Sequence, residues 1–283
     1  MRTQLLGSVA LHEDKILAEL ANSAEFRYSE PYGEFLSGRS WKTCMLWSAA
    51  GEVGDGVLSH YDPDRPAMAT AYGEALPYLR SVIERSFSTR HLTYARLAVM
   101  SECVIFPHRD FVELTDVPET NRAAHRLHIP LVTHDDALFT EDNLVFRMGL
   151  GEVWFLDVTQ VHSAAVLSEN RRVHLILDFA DADRDQLVSF PTHTAPGVPD
   201  HAQVNRPPLG DHERAELLSL ASVVDLDNLT EVFGIVIKKH YRHDGGANFV
   251  WDTMAEIGRR SGDTAVAGRI GELHEHCVSN RAQ

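Results

Sequence analysis

Between residues 91 and 180 the chain is divided into short apolar runs of strand length, and no other feature narrows the fold as far. Leu92 to Met100, Cys103 to Phe106, Leu127 to Val132, Leu144 to Met148, Glu152 to Leu156 and Val173 to Phe179 are the runs, with turn signals such as Gly149 and Gly151 between them. Many short strands separated by turns imply a sandwich or a barrel, because each sheet must bury one face against another layer or against itself.

The flanks read as helix. Residues 13 to 23 place Ile16, Leu17, Leu20 and Ala21 at helical spacing, and Ala69 to Phe87 does the same with Leu76, Leu79, Val82 and Ile83. Pro77 predicts a kink or a late start in that second helix. After residue 190 the character changes. Thr194 to Asp200 and Asn205 to Gly210 form a connector rich in Pro and Gly, and 211–222, 226–240, 248–260 and 263–278 have helical patterning. Asp211 and Asp263 are candidate N-caps. The chain therefore divides into a core over 1–190 and a connector with a helical C-terminal region over 191–283, expected to pack on the core or to form a homodimer contact.

Charge and cysteine usage exclude some functions. The 41 acidic and 26 basic residues give a net charge of -15, which argues against a nucleic-acid surface. With no long apolar segment and no charged-then-apolar leader, neither a membrane span nor a secretion signal is expected. Cys44, Cys103 and Cys277 are odd in number and far apart, and read as free thiols in a reducing cytoplasm.

The chemistry is signalled by His108-Arg109-Asp110, which directly follows the apolar run Val104 to Pro107. Side chains two apart on a strand share a face, so both reach one ion. His162, after the run Gly151 to Asp157, supplies a third ligand, and two His with one carboxylate is the donor set of non-heme Fe(II) oxygenases. Ten residues on, alternation in Arg172 to Asp178 puts Val173, Leu175 and Leu177 on one face and Arg172, His174, Ile176 and Asp178 on the other. Arg172 is the candidate partner for the distal carboxylate of 2-oxoglutarate, since guanidinium is shaped for bidentate carboxylate pairing.

Several blocks resemble the bacterial hydroxylases of free L-proline that act at cis-3 or cis-4, a branch of the aspartyl/asparaginyl beta-hydroxylase-like family. They are Leu5-Leu6-Gly7, Gly38-Arg39-Ser40-Trp41 with Trp47 and Gly51, Tyr94-Ala95-Arg96, Ile105 to Leu114, Arg126-Leu127-His128, Gly151 to Asp157, Val161 to Ala164 and the Arg172 segment. The P-H-R-D-x-x-E-L and G-E-x-W-F-L-D blocks are specific only together. The resemblance implies a mainly β fold with helices, a double-stranded β-helix (jelly-roll, cupin-like) core with a C-terminal α-helical region. It also implies Fe(II) held by His108, Asp110 and His162, with 2-oxoglutarate and O2 as cosubstrates and a free cyclic imino acid as substrate, L-proline or its six-membered homologue pipecolic acid. His91-Leu92-Thr93-Tyr94 and Arg126 to Pro130 mix features of the 3- and 4-hydroxylating relatives, so C3 and C4 both stay open.

Further residues follow from that chemistry. The resemblance sets His128 near the metal-bound end of 2-oxoglutarate, while His174 lines the pocket or makes a structural hydrogen bond. Arg96 and Arg126 are candidates for the substrate carboxylate, against the alternative of ion pairs with acidic residues. Glu113 and Asp178 are candidates for its ammonium. Trp41, Trp47 and Trp154 line the pocket or, more commonly for large strand aromatics, the core. His125, His134, His193, His240 and His243 show no ligand spacing. Rival readings are a peptidyl Asp/Asn-type hydroxylase, a cupin-like protein holding another metal, and a decayed oxygenase acting as an interaction module.

Overall fold

The computed structural model describes residues 3–30, 33–62, 64–110, 125–180, 183–192 and 195–279. Ten strands form one continuous antiparallel system: β1 (Gln4–Ser8), β2 (Leu36–Ala49), β3 (Ala67–Ala69), β4 (Leu92–Ile105), β5 (His125–Val132), β6 (Ala137–Glu141), β7 (Leu144–Phe146), β8 (Glu152–Leu156), β9 (His162–Val166) and β10 (Arg172–Phe179). The two runs expected over 92–106 are one long strand. Along Leu92 to Met100, β4 pairs with β10, and β5, β8 and β1 continue that sheet. At Cys103 and Val104 the same strand pairs instead with β9, which leads to β6 and β7, while β2 follows its other edge throughout. One strand thus serves two sheets.

The transfer happens at a backbone irregularity. Glu102 adopts φ +43°, and Gly38, paired on β2 with the next residue Cys103, adopts φ +115°. A Cβ at Gly38 would lie 2.2 Å from the Glu102 carbonyl oxygen, so only glycine fits the approach. The result is the jelly roll, with an interior and two outer faces. The interior is lined by Trp41, Met100, Ile105, Phe139, Phe146, Trp154, Leu156, Ala164 and Ile176.

Each outer face is covered by helices. Behind the larger sheet, Leu97, Leu127, Ile129, Val173, Leu175 and Leu177 pack on α1 (Glu13–Asn22) and α3 (Pro77–Ser86). The helix expected over 69–87 is interrupted. Ala67–Ala69 is strand, Thr70 caps the short α2 (Ala71–Glu74) by accepting from Gly73 N–H at 3.1 Å, and Pro77 starts α3, where its missing N–H costs nothing.

Behind the smaller sheet lie α4 (Asp211–Ser219), α5 (Leu229–Arg242), α6 (Phe249–Ser261) and α7 (Thr264–His274), close to expectation. Phe233, Val236, Ile237, Trp251, Met254 and Ile257 share one cluster with Val104, Phe106, Leu138, Val145 and Ala165 of the roll, so the helical region packs on the core. Asp263 caps α7, its carboxylate accepting from Ala265 and Val266. Asp211 does not cap α4. Gly210 occupies that place, and its N–H donates to Glu213 at 3.1 Å, because Glu at the third helical position reaches back to the cap.

Candidate active site

Strand register gathers the polar side chains into the roll. On β10, Arg172 faces Met100, His174 faces Ala98 and Ile176 faces Arg96 across to β4, while Asp178 faces Arg126 and Ile176 faces His128 on β5. Directly opposed residues share a sheet face. Arg96, Arg126, His128, Arg172, His174 and Asp178 therefore all point inward, and alternation on β10 runs as the sequence predicts.

His108 and Asp110 lie just beyond β4, joined to the roll by a small ladder. His108 and His162 exchange both backbone hydrogen bonds at 2.9 Å, and Asp110 N–H donates to Val158 O at 2.9 Å. The ligand atoms of His108, Asp110 and His162 lie within 4.8 Å of one another, the one such group among the described residues. His108 Nε2 is 3.1 Å and His162 Nε2 3.8 Å from the Asp110 carboxylate.

Tautomers are fixed from behind. His108 Nδ1 donates to Phe106 O at 2.7 Å and His162 Nδ1 to Gln160 O at 2.9 Å, which leaves both Nε2 lone pairs directed at the common point. Burial, with His108 alongside, lowers His162 to about 4, so its ring is neutral at physiological pH. Burial pushes the Asp110 carboxyl up, but His108 and Arg126 outweigh it and hold the group well below the usual carboxylate range. Two imidazoles and one carboxylate suit an iron(II) ion.

Arg172 shows what else the interior is built to receive. It is 1% exposed, its guanidinium lies over the Phe139 ring at 4.8 Å, and its Nε and Nη1 have no hydrogen-bond partner. Burial lowers it to about 10, against Cys103 and Tyr241, so it remains a cation. His128 and His174 stand between Arg172 and the other charges, Nδ1 to Nδ1 at 3.4 Å, each with an unpartnered Nε2. Burial first, then Arg126 and Arg172 for His128 and Arg172 for His174, holds both rings well below the usual imidazole range.

Arg96 and Arg126 meet at Asp178. Arg126 Nε donates to Asp178 Oδ1 at 2.6 Å and its Nη1 to Asp110, while Arg96 Nη2 lies 3.4 Å from Asp178 Oδ2. The ion-pair alternative for both arginines is thus realised. Trp154 and Trp41 belong to the interior apolar cluster, Trp154 Nε1 donating to Glu152 at 2.9 Å, and Trp47 packs on the outer face. Glu113 and His193 lie outside the described residues. Phe139, the floor under Arg172, His128 and His174, has no sequence signal, because β6 was not visible as a strand.

The aspartyl/asparaginyl beta-hydroxylase family model matches residues 11–182, and the model of the L-proline 3-hydroxylase C-terminal region matches 185–283. The chain belongs to the aspartyl/asparaginyl beta-hydroxylase family. Within that family it is 31% identical to L-proline cis-3-hydroxylase 2 of a Streptomyces species, over 100% of this chain and 97% of that protein. It is also 31% identical to the L-proline cis-4-hydroxylase of Rhizobium meliloti, over 99% and 97%. A solved prolyl-4-hydroxylase from Pseudomonas putida aligns with 64% of this beta-hydroxylase-family chain and 92% of its own, at 13% identity and a TM-score of 0.36.

Proposed function

We propose that this protein is an Fe(II)/2-oxoglutarate-dependent dioxygenase that hydroxylates a free cyclic imino acid, L-proline or L-pipecolic acid, at ring C3 or C4. The observation that carries the reading is the pairing, inside one roll, of the convergent His108, Asp110 and His162 with the buried, unpartnered Arg172. A metal site of another kind leaves Arg172 without a purpose, and a decayed enzyme would not keep three aligned ligands.

His108, Asp110 and His162 would hold the iron. Bound there, it would activate O2, the oxidant, whose two oxygen atoms end in succinate, formed with CO2 from 2-oxoglutarate, and in the new hydroxyl on an unactivated carbon. Arg172 pairs the distal carboxylate of 2-oxoglutarate, and Phe139 shapes that end of the pocket. His128, held neutral, offers its unpartnered Nε2 near the other end of the cosubstrate.

For the substrate, Arg96 and Arg126 present two cations around Asp178, which matches a zwitterion. The arginines take the carboxylate. Asp178 Oδ2, buried without a hydrogen-bond partner, accepts from the ammonium. Equal identity to a cis-3 and a cis-4 enzyme favours neither position of attack. Three buried free cysteines suit a reducing cytoplasm. Among the described residues no helix is long and apolar enough to cross a membrane.

The test is a mass-spectrometric screen of free amino acids for gain of one oxygen with stoichiometric succinate. Proline and pipecolic acid are expected to turn over, separated by about 1–3 kcal/mol for the one methylene. Their methyl esters are expected to fail, since an ester brings no negative charge to the two arginines, which outnumber the single Asp178 they share. An ester or peptidyl residue turned over as well as the free acid would move the assignment to a peptide hydroxylase.

A further inference from the structure

Three hydrogen bonds reach from the C-terminal helices to the backbone stretches that carry the metal-ligand side chains. Trp251 Nε1, on α6, donates to the carbonyl of Pro107 at 3.2 Å, immediately before His108. The Tyr241 hydroxyl, on α5, donates at 3.0 Å to Ser163 Oγ, which donates at 2.6 Å to the carbonyl of Ile105. That relay ties the residue after His162 to the end of the strand leading to His108. The N–H of Arg109, between His108 and Asp110, donates at 3.0 Å to the carbonyl of Cys277, beyond α7.

These bonds lie within an otherwise apolar cluster, where Phe106 stacks on Phe233 at 4.3 Å and Trp251 packs edge-on to Phe233 at 5.3 Å. Burying an indole N–H or a phenol there costs free energy unless each finds a partner, and an apolar side chain would fill the same volume without that demand. Trp251 is aimed at the carbonyl just before His108, and Tyr241 at the side chain just after His162. The roll needs such help at this place, because β4 ends at Ile105 and His108 to Asp110 lie outside its regular ladder.

We infer that Trp251 and Tyr241 are positioning residues for the iron ligands, so that the C-terminal helices are part of the metal site's outer support. Trp251 fixes the backbone entering His108, and Tyr241 locks the His162 segment against it. The inference rests on the metal reading above, and it concerns the chain's own geometry, not its substrate.

The experiment is titration of metal-free protein with Co(II), following the visible absorption bands, for wild type, Trp251→Phe and Tyr241→Phe. A control, Ile257→Ala, opens a cavity in the same helical cluster with no bond to the ligand segments. Trp251→Phe and Tyr241→Phe are expected to weaken Co(II) binding about tenfold, the low end of outer-contact effects, and to shift the bands. Ile257→Ala is expected to lower Tm the most and to leave affinity and bands as in wild type. Unchanged affinity and bands in both Phe variants overturn the inference, as does an equal loss in Ile257→Ala, which would trace the effect to stability. A wild type that binds no Co(II) overturns the metal reading and this inference with it.

Discussion

Arg126 and Arg172 are both buried inside the same roll, yet one is matched twice and the other not at all. Arg126 bonds Asp110 and Asp178, while Arg172 has two donor nitrogens without a partner and only the face of Phe139 against it. A buried cation that is paired belongs to the fold's own electrostatics. One left unpaired at a cost of desolvation is stabilised only when an anion arrives from solution. In the function proposed above, the difference separates an end of the pocket whose charges are already balanced within the chain from an end left for a cosubstrate anion to balance.

The largest effect should come from the group where the two ends meet. Replacing His108, Asp110 or His162 by Ala is expected to bring iron-dependent succinate formation to background while far-UV circular dichroism stays that of the wild type. Full turnover in any one variant would remove that residue from the ligand set.

Next come two substitutions to Leu, whose effects on the protein without cosubstrate should have opposite signs. Arg126→Leu removes the cation that pairs both Asp110 and Asp178, a loss of about 3–5 kcal/mol, read as a fall in Tm of roughly 10 °C. Arg172→Leu removes an unmatched charge and is expected to raise Tm by a few degrees. The same variant should weaken 2-oxoglutarate binding by about 2–5 kcal/mol, roughly 30-fold to several-thousand-fold, with only partial rescue by Arg172→Lys. If both Leu variants lose stability equally, Arg172 has a partner within the chain and the contrast fails.

The smallest effect is in pH dependence, and it tests a buried histidine on α5. Burial, then Arg206, lowers His240 to about 4. Its folded value is below the unfolded one of about 6.5, so the unfolded chain takes up the proton first as pH falls. The associated stability is complete above about pH 6.5 and is lost toward pH 4, on the order of 2–3 kcal/mol. Urea unfolding of wild type and His240→Phe over that range should show a shallower acid loss in the variant.

What could be read from the sequence follows from how many faces each strand has covered. β10 alternates legibly, because its outer residues are aliphatic and its inner ones are Arg172, His174 and Asp178. β6 and β9 were not visible. Ala137 to Glu141 and His162 to Val166 are buried on both faces, between the roll interior and the C-terminal helices, which erases period two. The fourteen-residue β2 was lost for a similar reason in its second half, and to Gly38, Arg39 and Ser40 in its first. In the site, the His108 and Asp110 pair was legible because ligands two residues apart leave a local mark. Phe139, Trp251 and Tyr241 meet the site only through the folded chain, and no local pattern marks them.

The ligand end of the roll is also closed by residues very distant in sequence. Thr3 N–H donates to Glu141 and its hydroxyl accepts from Asp157 N–H, across 138 and 154 residues, and Trp251 reaches Pro107 across 144. Closing loops of that size carries the largest entropic cost in the chain and comes late in folding. His108 and Asp110 are two residues apart in any conformation, but their convergence with His162 depends on contacts that join the two ends of the chain to its middle.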